Sequence, residues 1–172
     1  MATPPPVTDL LARFVSATDM SSTSGTTLSN AKMHILDTFG VALAGVTTEV
    51  AGIALDYAKG LGAAAESSIW GTRAKAAVST AAFANGLLAH ALDYDDWDAF
   101  IHVGHPSSMI VGAALPLAEH IGASGKELLK AYVLGIEVIC KIAANTPNVQ
   151  DRGFHSTPVF GSLGATVACA SL

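Results

Sequence analysis

"PSSMIVGAALPLAEHIGASGKELLKAYVLGIEVICKIAANTP", residues 106–147, decides the fold. It opens on Pro106, which suits the first position of a helix because the N–H it lacks would find no partner there anyway. A first helix is expected from Pro106 to about Ile121, kinked at Pro116. Ser124, followed three residues later by Glu127, is the capping-box signature that opens a second helix, which runs to Ala144 and is closed off by Pro147. Two successive helices joined by a short turn, with no alternating pattern, set an all-α helical-bundle reading for the chain.

Outward from this pair, the same reading extends to both ends. Ala76–Ala91 is Ala-rich and helical. "SSIWGT" (67–72) is strand-like but short and isolated, so no sheet is expected. Val50–Lys59 forms a helix stopped by Gly60. Ser29-Asn30 caps a longer one with the apolar face Met33, Ile35, Leu36, Phe39, Val41 and Leu43, ending at Gly45. "SSTSGTT" (21–27) reads as a linker, and Val7–Ala17 as a short helix with Leu10, Leu11, Phe14 and Val15 at helical spacing. Residues 1–6 are expected to be flexible, leaving 7–172 as the helical domain. On the C-terminal side, Thr157-Pro158 starts a last helix whose Gly161, Gly164, Ala165, Ala168 and Ala170 suit close packing. It reaches Leu172 with no glycine, basic last turn or polar tail, which reads as an incomplete domain interrupted within a helix.

The chain has 172 residues, enough for one domain with its own core. Only 13% are charged and 51% are hydrophobic, against about 25% charged in a typical soluble domain. This deficit predicts a large face buried against a partner or against more of the same protein, most simply a two-fold homodimer. The net charge is −5, and the basic residues form no stripe, which excludes nucleic acid as a partner. No apolar run reaches the roughly 18–20 residues of a membrane span, and the N-terminus has no secretory pattern. Cys140 and Cys169 form no CxxC pair, suit a reducing compartment and are too few to hold an iron–sulfur cluster. A cytoplasmic location is expected, with a mitochondrial one left open.

Against this apolar background stands "ALDYDDWDAFIHVGHPSS" (91–108), carrying Asp93, Asp95, Asp96, Asp98, His102 and His105. Asp93 lies three residues after His90 and would share its face if the helix continued that far. Counted from Asp93, the EF-hand positions for Gly and Glu hold Asp98 and Gly104, so calcium fails. Zinc through His102 and His105 would need His90, Asp93 or Asp98 as a further ligand, and no HExxH is present, so no metal is expected. "DYDD" matches the acid motif of class II terpene cyclases, but 6% aromatic residues are too few for a carbocation cavity.

A second polar island is "DRGFHSTPVF" (151–160). There His155 precedes a helix start and Arg152 lies three residues earlier, a corner suited to a carboxylate. A histidine so placed can act as acid or base near neutral pH. Taken singly, the aspartates also fit a solvated capping loop, and His155 a capping or core histidine.

Six fragments in order resemble the MmgE/PrpD family: "AKMHILDTFGVALAG" (31–45), "SIWGT" (68–72), "AAFANGLLAHALDYDD" (81–96), "GHPSSMIVGAALPLAE" (104–119), "SGKELLKAYVLGIEV" (124–138) and "RGFHSTPVFGSLGATVACASL" (152–172). The resemblance implies a large helical domain followed by a smaller α/β lid, working without metal or cofactor and usually as a dimer. It implies lyase chemistry on a small tri- or dicarboxylate: dehydration of a 2-methylcitrate-like substrate or decarboxylation of a cis-aconitate-like one. By the same resemblance Asp93, His105 and His155 are catalytic, and Arg152, Asp96 and Ser107 bind substrate. Trp97 stands where many members have Thr, which replaces a polar contact by an indole. The family continues well past the position of Leu172. The alternative is therefore a helical module that is catalytically incomplete until a partner chain supplies the lid.

Overall fold

The structure is a computed structural model and describes residues 6–62, 64–98 and 100–172. The expected flexible start, 1–6, lies outside the described residues except for Pro6. The fold is all-α as expected, 67% helical, with seven α-helices among the described residues: α1 (Val7–Ala17), α2 (Gly25–Gly45), α3 (Glu49–Gly60), α4 (Val78–His90), α5 (Pro106–Ile121), α6 (Gly125–Ala144) and α7 (Ser156–Ala170). The capping box forms as read. Ser124 Oγ accepts from the Glu127 N–H, and the Glu127 carboxylate accepts from the Ser124 N–H at 2.7 Å.

The hydrophobic effect is spent on α5, which packs against α4, α6 and α7 at once. Ile110, Val111, Leu88, Leu134, Val138 and Ile139 are fully buried around it. Helices come this close only where side chains vanish. A Cβ placed on Gly112 would sit 3.1 Å from Gly86 Cα, and one on Gly164 would sit 2.9 Å from both Ile110 Cδ1 and Ile139 Cγ2. Of the small residues of the last helix, read as suited to close packing, three find that packing inside the chain. Gly161, Gly164 and Ala168 are buried against α5 and α6.

Three local expectations change. The linker at 21–27 contains a 3-10 turn, Met20–Ser22, and the start of α2. The cap of α2 is Ser24, whose Oγ accepts from the Thr27 N–H at 3.0 Å, not Ser29-Asn30. Of the six apolar residues assigned to the packed face of α2, Met33, Leu36 and Leu43 are exposed and Ile35, Phe39 and Val41 are half-buried, while Ala31, Thr38, Ala42 and Gly45 are buried. The reason is proximity, since a Cβ at Gly45 would collide with the Leu88 carbonyl of α4.

The third change is a small sheet where none was expected. β1 (Ser67–Ser68) pairs antiparallel with β2 (Lys75–Ala76). It survives at this length because α4 and α5 hold it. Asn85 accepts from the Trp70 N–H at 2.9 Å and donates to the Ser68 carbonyl, Ser67 donates to the Pro116 carbonyl at 2.7 Å, and Glu119 accepts from Ser68 and from Lys75. No single helix among the described residues is long and apolar enough to cross a membrane.

Candidate active site

The site is built by the way α4 stops. The helix ends at His90, and Asp93 takes a left-handed backbone, φ 54°, that turns the chain back on itself. Asp93 therefore does not share a helical face with His90. The turn brings Asp95 under that histidine instead, where His90 Nδ1 donates to Asp95 Oδ1 at 2.9 Å. Further on, Asp98 ties the loop together by accepting from the N–H groups of Ile101 and Val103, while its own N–H donates to the Gly104 carbonyl. Gly104, at φ +87°, passes directly over the start of α7, where a Cβ would collide with Thr157 Oγ1. That hydroxyl accepts from the His105 N–H at 3.0 Å. Pro106 then begins α5.

His105 is consequently clasped from two sides. Its Nδ1 lies 3.3 Å from the Asp95 carbonyl oxygen and 3.3 Å from the Asp95 carboxylate, and its Nε2 lies 3.4 Å from Asp93 Oδ1. A backbone carbonyl only accepts, so Nδ1 carries the proton, and Nε2, facing the Asp93 carboxylate, is the nitrogen that can take up or give away a second one. The Asp95 side chain is fully buried, His105 nearly so, and Asp93 is 77% exposed. The imidazoles of His90 and His105 meet edge to face at 4.8 Å, and the Trp97 indole covers His105 at 5.2 Å. This buried carboxylate between two imidazoles, open on the Asp93 side, suits proton transfer to a bound molecule.

The other site residues are placed differently. Asp96 faces away from His105, accepting from the Ser107 N–H (3.0 Å) and Ser107 Oγ (2.6 Å), with His34 Nδ1 at 3.4 Å. Ser107 is fully buried and its hydroxyl also meets Tyr132 Oη at 2.7 Å. Burial pushes the Asp96 carboxyl above its usual range, against the lowering effect of the Ser107 bonds and His34, and burial likewise raises Tyr132. Asp96, Trp97 and Tyr132 line a cavity of about 410 Å³ between α2, α6 and the loop. His155 is the N-cap residue of α7, exposed together with Arg152. The seating of Gly104 on Ser156 and Thr157 puts it at the same end of the bundle as His105, without a described side-chain bond to the cluster. His102 points elsewhere, into a separate cavity beside Asn148 and Gln150.

Two members of the cluster, His90 and Asp95, were not assigned roles from the sequence. The signal was the chain distance from His90 to the acidic run. Only the left-handed turn at Asp93 selects Asp95 rather than its neighbour. Donor atoms of His90, Asp93, Asp95 and His105 lie within 4.8 Å of one another. Tetrahedral zinc ligands stand about 3.4 Å apart, so a metal ion would have to draw these groups inward and displace the protons that bridge them to Asp95.

The structure defines an all-α helical domain with an imidazole–carboxylate cluster at one helix end. Residues 9–172 match the MmgE/PrpD N-terminal domain, and the chain belongs to the MmgE/PrpD family. It is 31% identical over 172 residues to a cis-aconitate decarboxylase of Homo sapiens and 30% identical over 176 residues to one of Mus musculus. Each comparison covers 95% of this chain and 35% of the relative, so the chain spans about a third of the length of the curated relatives it matches.

Proposed function

We propose that this chain is a helical portion of a metal-independent lyase acting on a small di- or tricarboxylate, by decarboxylation of a cis-aconitate-like substrate or dehydration of a 2-methylcitrate-like one. The observation that carries the reading is the clasp on His105, with Nδ1 fixed by Asp95 and Nε2 turned toward Asp93. Decarboxylation breaks a carbon–carbon bond, releases CO2 and leaves an electron pair that neighbouring carboxylates help to delocalise until carbon takes a proton. Dehydration removes a proton from carbon while the hydroxyl takes one and leaves as water. Both reactions need a group that exchanges a proton near neutral pH, and His105 Nε2 is that group. Asp93 orients it or accepts a hydrogen bond from substrate. His155 and Arg152, exposed at the start of α7, meet a substrate carboxylate. Asp96 and Ser107 hold the shape of the loop, with Asp96 also presented to the neighbouring cavity.

The likeness to cis-aconitate decarboxylases favours decarboxylation as the first assay. The protein is incubated with cis-aconitate and with 2-methylcitrate while CO2 release and alkene absorbance are followed. His105→Ala is expected to lower kcat by about 10²–10⁴-fold, and chelator treatment to leave it unchanged. Full activity in the variant would sink the assignment.

A second reading is favoured by charge. Among the described residues no lysine or arginine side chain pairs with Asp93, Asp95, Asp96 or Asp98, and the ion-pair partners of the first three are all histidines. A polyanionic substrate needs cations nearby. On this reading the domain, residues 7–172, is a module whose cationic half comes from a lid or from a second chain, in a homodimer or with a separate partner.

A further inference from the structure

The cluster holds a second imidazole with the same anchoring as the first. His90 Nδ1 faces both oxygens of the Asp95 carboxylate, at 2.9 and 3.1 Å. An ionised carboxylate only accepts, so Nδ1 carries the proton and Nε2 is left basic, on the side of the ring turned away from Asp95. His90 Nε2 makes no hydrogen bond among the described residues, and the side chain is 39% exposed, against 12% for His105. The two rings therefore share one buried carboxylate and stand 4.8 Å apart, each with its Nε2 free of that carboxylate. His155, the histidine expected to work with His105, has no described bond to the cluster, whereas His90 is part of it.

From this geometry we infer that His90 is a second acid–base residue of the site, paired with His105 through Asp95. The inference rests on the lyase reading above and deepens it. In dehydration, one imidazole takes the proton from carbon as the carbon–carbon double bond forms and the C–O bond breaks. The other, as imidazolium, gives the proton that lets hydroxyl leave as water. In decarboxylation, one imidazolium gives its Nε2 proton to the carbon that keeps the electron pair of the departing CO2. The more exposed His90 exchanges protons with water between turnovers. Asp95 touches neither substrate nor reacting atoms and is a positioning residue that fixes both tautomers.

Two measurements test this. Long-range 1H–15N correlation on histidine-15N protein, taken above the titration of the rings, is expected to show both His90 and His105 protonated on Nδ1. Asp95→Asn is expected to release His90 into a tautomer mixture, while His105 keeps its Nδ1 proton on the backbone carbonyl. An Nε2-protonated His90 in the unmodified protein overturns the anchoring and the inference with it, whatever the activity. In the lyase assay, His90→Ala is expected to lower kcat about 10²-fold with KM changed less than about twofold, and added imidazole is expected to restore part of the loss. A structural role would instead lower the melting temperature and show no imidazole rescue. Wild-type kcat in His90→Ala overturns this inference and leaves the lyase reading standing on His105. Absence of turnover by the unmodified complete protein overturns both.

Discussion

At Asp96 a carboxylate is buried beside Tyr132 with only Ser107 and half-exposed His34 to offset the loss of water. Desolvation outweighs those partners and raises its pKa from the ordinary 3.8. A carboxyl that holds its proton more tightly when folded stabilises the fold fully below the unfolded value. That contribution is lost as pH rises through the folded one. Asp96→Asn cannot ionise and keeps an acceptor for the Ser107 N–H. Its melting temperature, compared with the wild type, is therefore expected to rise as pH goes from 4 to 7. Parallel thermal melts at the two pH values check this, and a constant difference would show that burial does not govern this carboxyl. Gly104 carries a residue-scale constraint of another kind. Its positive φ and its contact with Thr157 leave no room for a side chain, so the placement of the His105 main chain depends on that glycine.

Among the elements, α7 is the one whose role differs most from its appearance in the sequence. Its small residues are the socket into which Met109, Ile110 and Ile139 fit. A Cβ on Gly161 would stand 2.6 Å from Met109 Cγ, and one on Gly135 would stand 2.8 Å from the Gly164 carbonyl. A large side chain here has nowhere to go, and overpacking a tight core costs about 1–3 kcal/mol or more. Gly164→Leu is expected to lower the unfolding free energy by at least that amount, seen as a lower denaturant midpoint, and because α7 carries Thr157, to loosen His105 as well. Urea unfolding followed by circular dichroism reads the first effect, and an unchanged midpoint would mean that α7 does not pack as described. The hairpin of β1 and β2 is held in a comparable way by α5. Lys75 and Ser68 hold the Glu119 carboxyl down to about 2. Its contribution is present above the ordinary 4.5 and lost as pH falls toward 2.

For the whole molecule, the proposed lyase reading raises the question of where cations for an anionic substrate would come from. The described chain concentrates carboxylates and imidazoles at one end of the bundle, while its apolar residues Met33, Leu36 and Leu43 on α2 and Ile53 and Tyr57 on α3 stay exposed. A polyanion would meet net repulsion beside the four aspartates of the 93–98 loop unless cations in addition to Arg152 are supplied. The 172-residue chain assayed alone is therefore expected to turn over cis-aconitate far more slowly than a mixture containing a polypeptide that supplies the lid, with light scattering reporting the complex. Equal turnover without the second polypeptide would remove the module reading.

Much of this protein was legible in the sequence because the deciding signals are local. Pro106 and the Ser124–Glu127 capping box fix the bounds of α5 and α6 within a turn of chain, where no distant contact competes. Six ordered fragments placed the chain in its family, and Asp93 and His105 do come to lie 3.4 Å apart. Tertiary contact decided the rest. Which face of α2 packs follows from the closeness of α4, not from hydrophobicity, so alanines are buried and leucines exposed. The two-residue strands exist only because Asn85, Pro116 and Glu119 hold them, and such short pairs are not stable by themselves. The pairing of His90 with Asp95 rests on one left-handed residue, Asp93. Aspartate tolerates that conformation better than most residues, but nothing in the sequence says which of the four aspartates adopts it.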